Sequence, residues 1–254
     1  MNADDQSIVW VDGAWVPASR ATIAVDRWNP WLAISLAESI VVESGRPLYV
    51  RDHLARLAEG CRALAWLAPD LRLLTRVLRR LPALNRLKKG GLRLRWWGGD
   101  AKPLFIAQPV AAPAPGPDAI RLLTTAVRHY GPDSLNGRAK VAHMLPNWLA
   151  RAEVDAWAED GLRLTPDGFV AEGVWTNIVA LKRKIARTPP LSLGLLEGVT
   201  RSRFLKQLRA KGWQTREEPL TRYDLWTADR VWVTSSLRGA LPVLSVDGRP
   251  LATK

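Results

Sequence analysis

The chain has 254 residues, 47% hydrophobic and 24% charged, which is material for one large domain or two moderate ones packed together. No apolar stretch approaches the eighteen residues of a membrane span, and the acidic start MNADDQSIVW lacks the basic and apolar regions of a secretory signal. The net charge of +13 raises a nucleic-acid reading, but the basic residues are scattered, and even their densest region (Arg76, Arg79, Arg80, Arg86, Lys88, Lys89, Arg93, Arg95) lies in no recognised nucleic-acid motif.

In chain order, IVWV and AWVP flank Asp12-Gly13, a dipeptide suited to the positive φ values of a type I′ hairpin turn. SIVVES, Gly45-Arg46 and PLYV predict a second hairpin. Asp52 is the candidate cap of a helix in which Leu54, Leu57, Cys61 and Leu64 share one apolar face. Pro69-Asp70 restarts a helix, LRLLTRVLRRL, that stops near Pro82. LRLRWW and LFIAQPV are strand-like. PVAAPAPGPD, residues 109–118, reads as a connector, because its prolines favour extended backbone outside a regular ladder. The expected division is therefore residues 1–108, a linker over 109–118, and residues 119–254.

The second half opens with the strand IRLLTTAV and the polar loop GPDSLNGRAK. Pro146 begins a helix with Leu149, Ala150, Val154 and Trp157 at helical spacing. GLRLTPDGFVAEG is a hairpin unit turning at Pro-Asp-Gly, and TNIVALK is a strand. Residues 199–211 form a helix stopped by Gly212, and Thr221 caps a short helix before the strands VWVTSS and ALPVLSV. Runs of strands and helices give an α+β or mixed α/β chain rather than a regular βαβ repeat.

The usual phosphate loops are missing: neither GxGxxG nor GxxxxGK[ST] occurs. His53, His129 and His143 sit in no nucleophile-elbow context, and no cysteine–histidine spacing suits a metal, so no metal ligand is assigned. The lone Cys61 cannot form an internal disulfide, and a reducing cytoplasmic setting is expected.

Five segments in order point elsewhere: RDHLARL, AKVAHMLPNWLARAE, GFVAEGVWTNIVALK, PPLSLGLLEGVTR, and ADRVWVTSSLRGALPV followed by DGRPL. Together they resemble the class IV aminotransferases, the fold-type IV enzymes of pyridoxal 5′-phosphate (PLP). That family includes branched-chain aminotransferases, D-amino-acid aminotransferases and 4-amino-4-deoxychorismate lyases. The resemblance runs along nearly the whole chain and is tightest over residues 134–250.

The resemblance implies a role for each matched residue. Lys140 corresponds to the lysine that forms a Schiff base with PLP; a free lysine amine is mostly protonated at neutral pH and needs a desolvated or cationic setting to react. Glu172 resembles the carboxylate that keeps the pyridine nitrogen protonated. Asn177 positions. Arg56 matches the arginine that grips the phosphate with its planar fork. Val199 and Thr200 open a helix whose unpaired N–H groups favour an anion, and Ser235 and Ser236 occupy a later hydroxyl-bearing turn of the same phosphate cup.

The family implies two domains, a small N-terminal one and a larger C-terminal one with PLP in the cleft, and a homodimer acting on an amino-acid-like substrate. The segment after Asp26-Arg27 departs from the pattern. WNPWLAISLAES holds no glycine, which suggests a helix over residues 31–39, with Trp28 and Trp31 in the pocket or core; Glu38-Ser39 resembles the end of the family motif. His143 and Met144 also depart, which leaves substrate preference open. The first functional reading is an aminodeoxychorismate-lyase-like enzyme of folate biosynthesis, eliminating pyruvate to give 4-aminobenzoate. It rests on short length and the lack of an Arg-x-His carboxylate trap after LRLRWW. The alternative is an aminotransferase for D-amino or branched-chain acids, and a further one is a non-catalytic PLP-fold or nucleic-acid-binding protein.

Overall fold

The computed structural model describes residues 6–24, 34–99, 102–112, 116–134, 138–154 and 157–252. Asp26, Arg27, Trp28 and Trp31 lie outside them. The chain forms two compact units, residues 1–114 with 139–143, and residues 115–138 with 144–254. The second unit is therefore interrupted in sequence, and Lys140 belongs to the first, not to a continuous C-terminal stretch from residue 119.

The first unit is a six-stranded sheet of order β2-β1-β6-β5-β3-β4. Its strands are β1 (Ile8–Val11), β2 (Ala14–Pro17), β3 (Leu36–Glu43), β4 (Arg46–Pro47), β5 (Gly90–Trp97) and β6 (Leu104–Ala111). Asp12 (φ 45°) and Gly13 (φ 104°) make the expected first turn. The second turn sits one residue earlier than expected, at Ser44 (φ 49°) and Gly45 (φ 76°), because Glu43 pairs with Arg46.

Two expectations are corrected here. Residues 36–39 are strand, not helix: Leu36, Glu38, Ile40 and Val42 alternate inward with the period of two that only a strand provides. Residues 109–111 are not connector, since Pro109 stands opposite Leu92 and Ala111 opposite Gly90 in the β5–β6 ladder.

Helix α1 (Val50–Ala63) and α2 (Leu71–Leu84) cover one face of this sheet. Leu54, Leu57 and Cys61 of α1 and Leu74, Val77, Leu78 and Leu81 of α2 pack with Leu36, Ile40, Val42, Leu92 and Leu94. Each such leucine contributes about 2 kcal/mol by leaving water. Asp70 caps α2 by accepting from the Arg72 and Leu73 amides, whereas α1 starts at Tyr49 in left-handed backbone, with Asp52 inside its first turn rather than at its cap. Helix α2 runs through Pro82, which lies in its last turn and has no N–H to give the Leu78 carbonyl.

The second unit contains a nine-stranded sheet, β12-β11-β10-β13-β14-β7-β8-β9 with β15 on β14. The strands are β7 (Ile120–Thr124), β8 (Asp160–Leu164), β9 (Val170–Gly173), β10 (Asn177–Lys182), β11 (Ile185–Thr188), β12 (Gln214–Glu217), β13 (Arg230–Ser235), β14 (Gly239–Val246) and β15 (Arg249–Pro250). Parallel pairs join β14, β7 and β8, and also β11 and β12. Its helices are α3 (Leu145–Ala152), α4 (Val199–Ala210) and α5 (Arg222–Trp226), the last closed by a capping box between Thr221 and Asp224. Helix α3 ends earlier than its apolar spacing suggested: Ala150 and Val154 are buried, but Leu149 and Trp157 face outward.

Candidate active site

Lys140 sits in a short strand-like segment added to β3. The Lys140 carbonyl accepts from the Ala37 amide at 2.8 Å, the Ser35 carbonyl accepts from the Ala142 amide at 2.7 Å, and Val141 bridges Leu36. With Ala139 in the core, the backbone on both sides of the lysine is held, and its side chain is half-buried.

Glu38 is one residue along β3 from the Ala37 amide. Its carboxylate lies inside the unit, where Arg56 of α1 donates Nε to Oε1 at 2.8 Å and Nη2 to Oε2 at 2.6 Å. His53, one turn back on α1, meets Oε2 through Nδ1 at 2.7 Å. Burial by itself would raise the Glu38 pKa, but the Arg56 charge and the hydrogen bonds of His53 and Arg56 outweigh it and hold the pKa down at about 2. Arg56 is thus one arm of a buried carboxylate cluster. Sequence reading picked out Arg56 and missed this use of Glu38 and His53; the spacing of His53 and Arg56, three apart on one helix face, was the available signal.

In the second unit, Glu172 projects from β9 among four donors. Oε1 meets His129 Nε2 and Arg163 Nη2, both at 3.1 Å; Oε2 accepts from Asn177 Nδ2 at 3.2 Å and from the Leu196 amide at 3.4 Å. Asn177 begins β10 and also donates to the Leu196 carbonyl at 3.0 Å, so one carboxamide ties Glu172 to the segment entering α4. Neither His129 nor Arg163 stood out in the sequence. All five residues of β8 are buried, and an arginine inside such a strand becomes visible only once the strand is placed.

The turn that joins β9 to β10 fixes these positions. Asp160 of β8, buried, accepts from Thr176 Oγ1 at 2.7 Å and from the Gly161 amide at 2.9 Å. Desolvation raises its pKa to about 6 against the lowering by those hydrogen bonds. A side chain at Gly173 would run into Thr176 Oγ1 and the Asp160 carboxylate, so the residue after Glu172 has to be glycine. Asn147 of α3 donates to the Val174 carbonyl at 2.5 Å from the other side.

Helix α4 starts at Gly198, with buried Val199 and half-buried Thr200 next. Gly198 supplies no side-chain cap, and a Cβ there would collide with Asn177 Oδ1. Across the β10–β13 ladder, Asn177 faces Thr234, whose buried Oγ1 has no hydrogen-bond partner. Ser235 closes β13, and Ser236 follows it into the turn before β14. The N-terminus of α4, glycine-lined and uncapped, together with an orphaned hydroxyl on the strand facing Asn177, is a donor set that fits a phosphate. Glu172, surrounded by donors and tied to the same segment, fits the protonated nitrogen of a heteroaromatic ring. The residues of this unit could therefore hold PLP, with Glu172 and Asn177 toward the ring and the start of α4 and the end of β13 toward the phosphate.

A family model described as "Amino-transferase class IV" matches residues 35–246. The chain is 29% identical over 97% of its length to a putative branched-chain-amino-acid aminotransferase of Methanocaldococcus jannaschii, covering 90% of that protein. It is 27% identical over 94% of its length to the aminodeoxychorismate lyase of Bacillus subtilis, covering 87% of it. Among solved structures, the branched-chain amino acid aminotransferase of Escherichia coli superposes with a TM-score of 0.90 at 22% identity, over 98% of this chain and 89% of that one.

Proposed function

The chain belongs to the amino-transferase class IV family and is a PLP-dependent enzyme, and from that premise we propose that it transfers amino groups between branched-chain amino acids and keto acids. The observation that carries this reading is the similarity to the Methanocaldococcus jannaschii protein, which runs nearly end to end in both chains. The non-catalytic alternative gives way to family membership.

PLP, when bound, supplies an electron-withdrawing ring that makes a substrate α-proton removable. Lys140 would hold the cofactor covalently, and its amine, once freed by the incoming substrate, would take the proton from the substrate α-carbon and deliver it on the cofactor side of the substrate nitrogen. The anchoring of Lys140 through Ala37 and Ser35 limits where that amine can reach. Glu172 would favour a proton on the ring nitrogen, Asn177 keeps the Glu172 carboxylate in register with the start of α4, and Thr200, Ser235 and Ser236 would donate to the phosphate with the α4 amides. Arg56, oriented by Glu38 and His53, would serve as a phosphate ligand. The chain acts as a homodimer. Leu145, Trp148 and Leu149 form an exposed apolar face on α3, Trp148 being 69% exposed, which suits a subunit contact.

The lyase reading has its own observation, the 27% identity to the Bacillus subtilis enzyme over most of both chains. Two incubations separate the reactions: branched-chain amino acids with 2-oxoglutarate, and aminodeoxychorismate alone. Formation of glutamate in the first is expected. Formation of 4-aminobenzoate in the second without amino transfer in the first would replace transfer by elimination. A visible cofactor band that survives Lys140→Ala would overturn the assignment of the lysine.

A further inference from the structure

Arg163 is the unusual member of the Glu172 cluster. It lies on β8 at 2% exposure and makes one hydrogen bond, from Nη2 to Glu172 Oε1, while its Nε and Nη1 are buried without a partner. Arg201, equally buried, shows what a structural arginine looks like here: it joins Thr188 Oγ1 at 3.2 Å, the Pro189 carbonyl at 3.0 Å and Glu217 at 3.0 Å. Orphaned N–H groups make a buried guanidinium costly, so hydrogen bonding does not account for Arg163. What is left is its charge, and among the described residues its only carboxylate is Glu172. The other groups facing Glu172 are His129 from the loop after β7, Asn177 from β10 and the Leu196 amide.

We propose that Arg163 is a positioning residue that acts through Glu172, weakening the carboxylate's hold on the proton of the cofactor's ring nitrogen and so setting how strongly the ring draws electrons from the substrate. This rests on the reading that Glu172 faces that nitrogen. A carboxylate alone favours the protonated nitrogen; a guanidinium on the same oxygen makes the pair neutral and cancels much of that preference. Arg163→Gln removes the charge and leaves Glu172 its full effect.

The test uses the holoenzyme reconstituted with PLP labelled with ¹⁵N in the ring, following the ¹⁵N chemical shift with pH and the exchange of the substrate α-hydrogen for deuterium. Arg163→Gln is expected to move the shift toward the protonated form and to speed exchange about tenfold, the equivalent of roughly one pKa unit. Arg163→Lys keeps the charge and stays near the parent enzyme. With a cofactor carrying carbon in place of the ring nitrogen, Arg163→Gln and the parent exchange at the same rate. An unchanged shift in Arg163→Gln, or faster exchange that persists with the nitrogen-free cofactor, overturns the proposal. Should Arg163→Gln not fold, the parent's own titration decides: a ring nitrogen that titrates near neutral pH supports the tuning, and one protonated throughout refutes it. Glu172→Gln separates the premise from the proposal. If it leaves the shift unmoved, Glu172 does not face the nitrogen; if it moves the shift while Arg163→Gln does not, only the role of Arg163 falls.

Discussion

Replacing Glu38 by glutamine tests the buried cluster of the first unit. The Glu38 pKa is about 2 against an ordinary 4.5, with burial opposed by Arg56 and His53. A difference of about 2.5 units corresponds to roughly 3 kcal/mol. Because the folded value is depressed, this stability is fully present above the unfolded pKa, near 4.5, and drains away as pH falls toward 2. Glu38→Gln mimics the protonated acid at every pH and leaves the Arg56 guanidinium without its counter-charge. The expected loss near neutral pH is roughly 3 kcal/mol, within the range for breaking a buried pair and equivalent to about 6–12 °C in Tm for a chain of this size. Calorimetric melts of both proteins from about pH 7 to about pH 2.5 give the difference directly. It should be large above about pH 5 and shrink toward zero at the acid end. A difference that stays constant with pH, or a variant as stable as the parent at neutral pH, would refute the electrostatic account.

Asp160 should behave with the opposite sign. Its folded pKa, about 6, lies above the ordinary 3.8, so its contribution is complete below 3.8 and is lost as pH rises through 6; Asp160→Asn should remove that slope, worth roughly 3 kcal/mol, in the same melts. Gly198→Ala should displace the Asn177 carboxamide and weaken PLP binding about tenfold, the loss of one net hydrogen bond, measured by titrating apoenzyme. Trp148→Ser with Leu149→Ser should shift sedimentation from dimer to monomer; an unchanged dimer places the subunit contact elsewhere.

The strands and helices were legible where side-chain periodicity and turn chemistry agreed. Asp12-Gly13, the apolar faces of α1 and α2, and the Pro-Asp-Gly turn are local features, and local features survive in a sequence. β11 and β12 went unread because IART and QTRE are too short and too polar to show a period of two; they are strands because each pairs with the other in parallel register. The misreading of residues 36–39 came from judging a missing glycine, when the inward alternation of Leu36, Glu38, Ile40 and Val42 carried the information. For the site, motif resemblance pointed to Lys140, Arg56, Glu172, Asn177 and Thr200, but not to the charges that act on them. Arg163 is nine residues from Glu172 and His129 is forty-three away; only the pairing of β8 with β7 and β9 brings them to one carboxylate.

The five residues around Lys140 have a consequence for how the protein is made. Leu36 waits for Val141, more than a hundred residues later, to complete the edge of β3. The chain leaves the first unit at residue 114, returns at 139 and departs again at 143. During synthesis the N-terminal sheet therefore emerges without its last piece, and the lysine proposed to hold the cofactor arrives as that piece. A ribosome-bound fragment ending near residue 120 should be more protease-sensitive at β3 than one extended past residue 143, since closing a contact of such separation comes late in folding. The arrival of Lys140 and the closure of the first sheet are thus one event in the life of the chain.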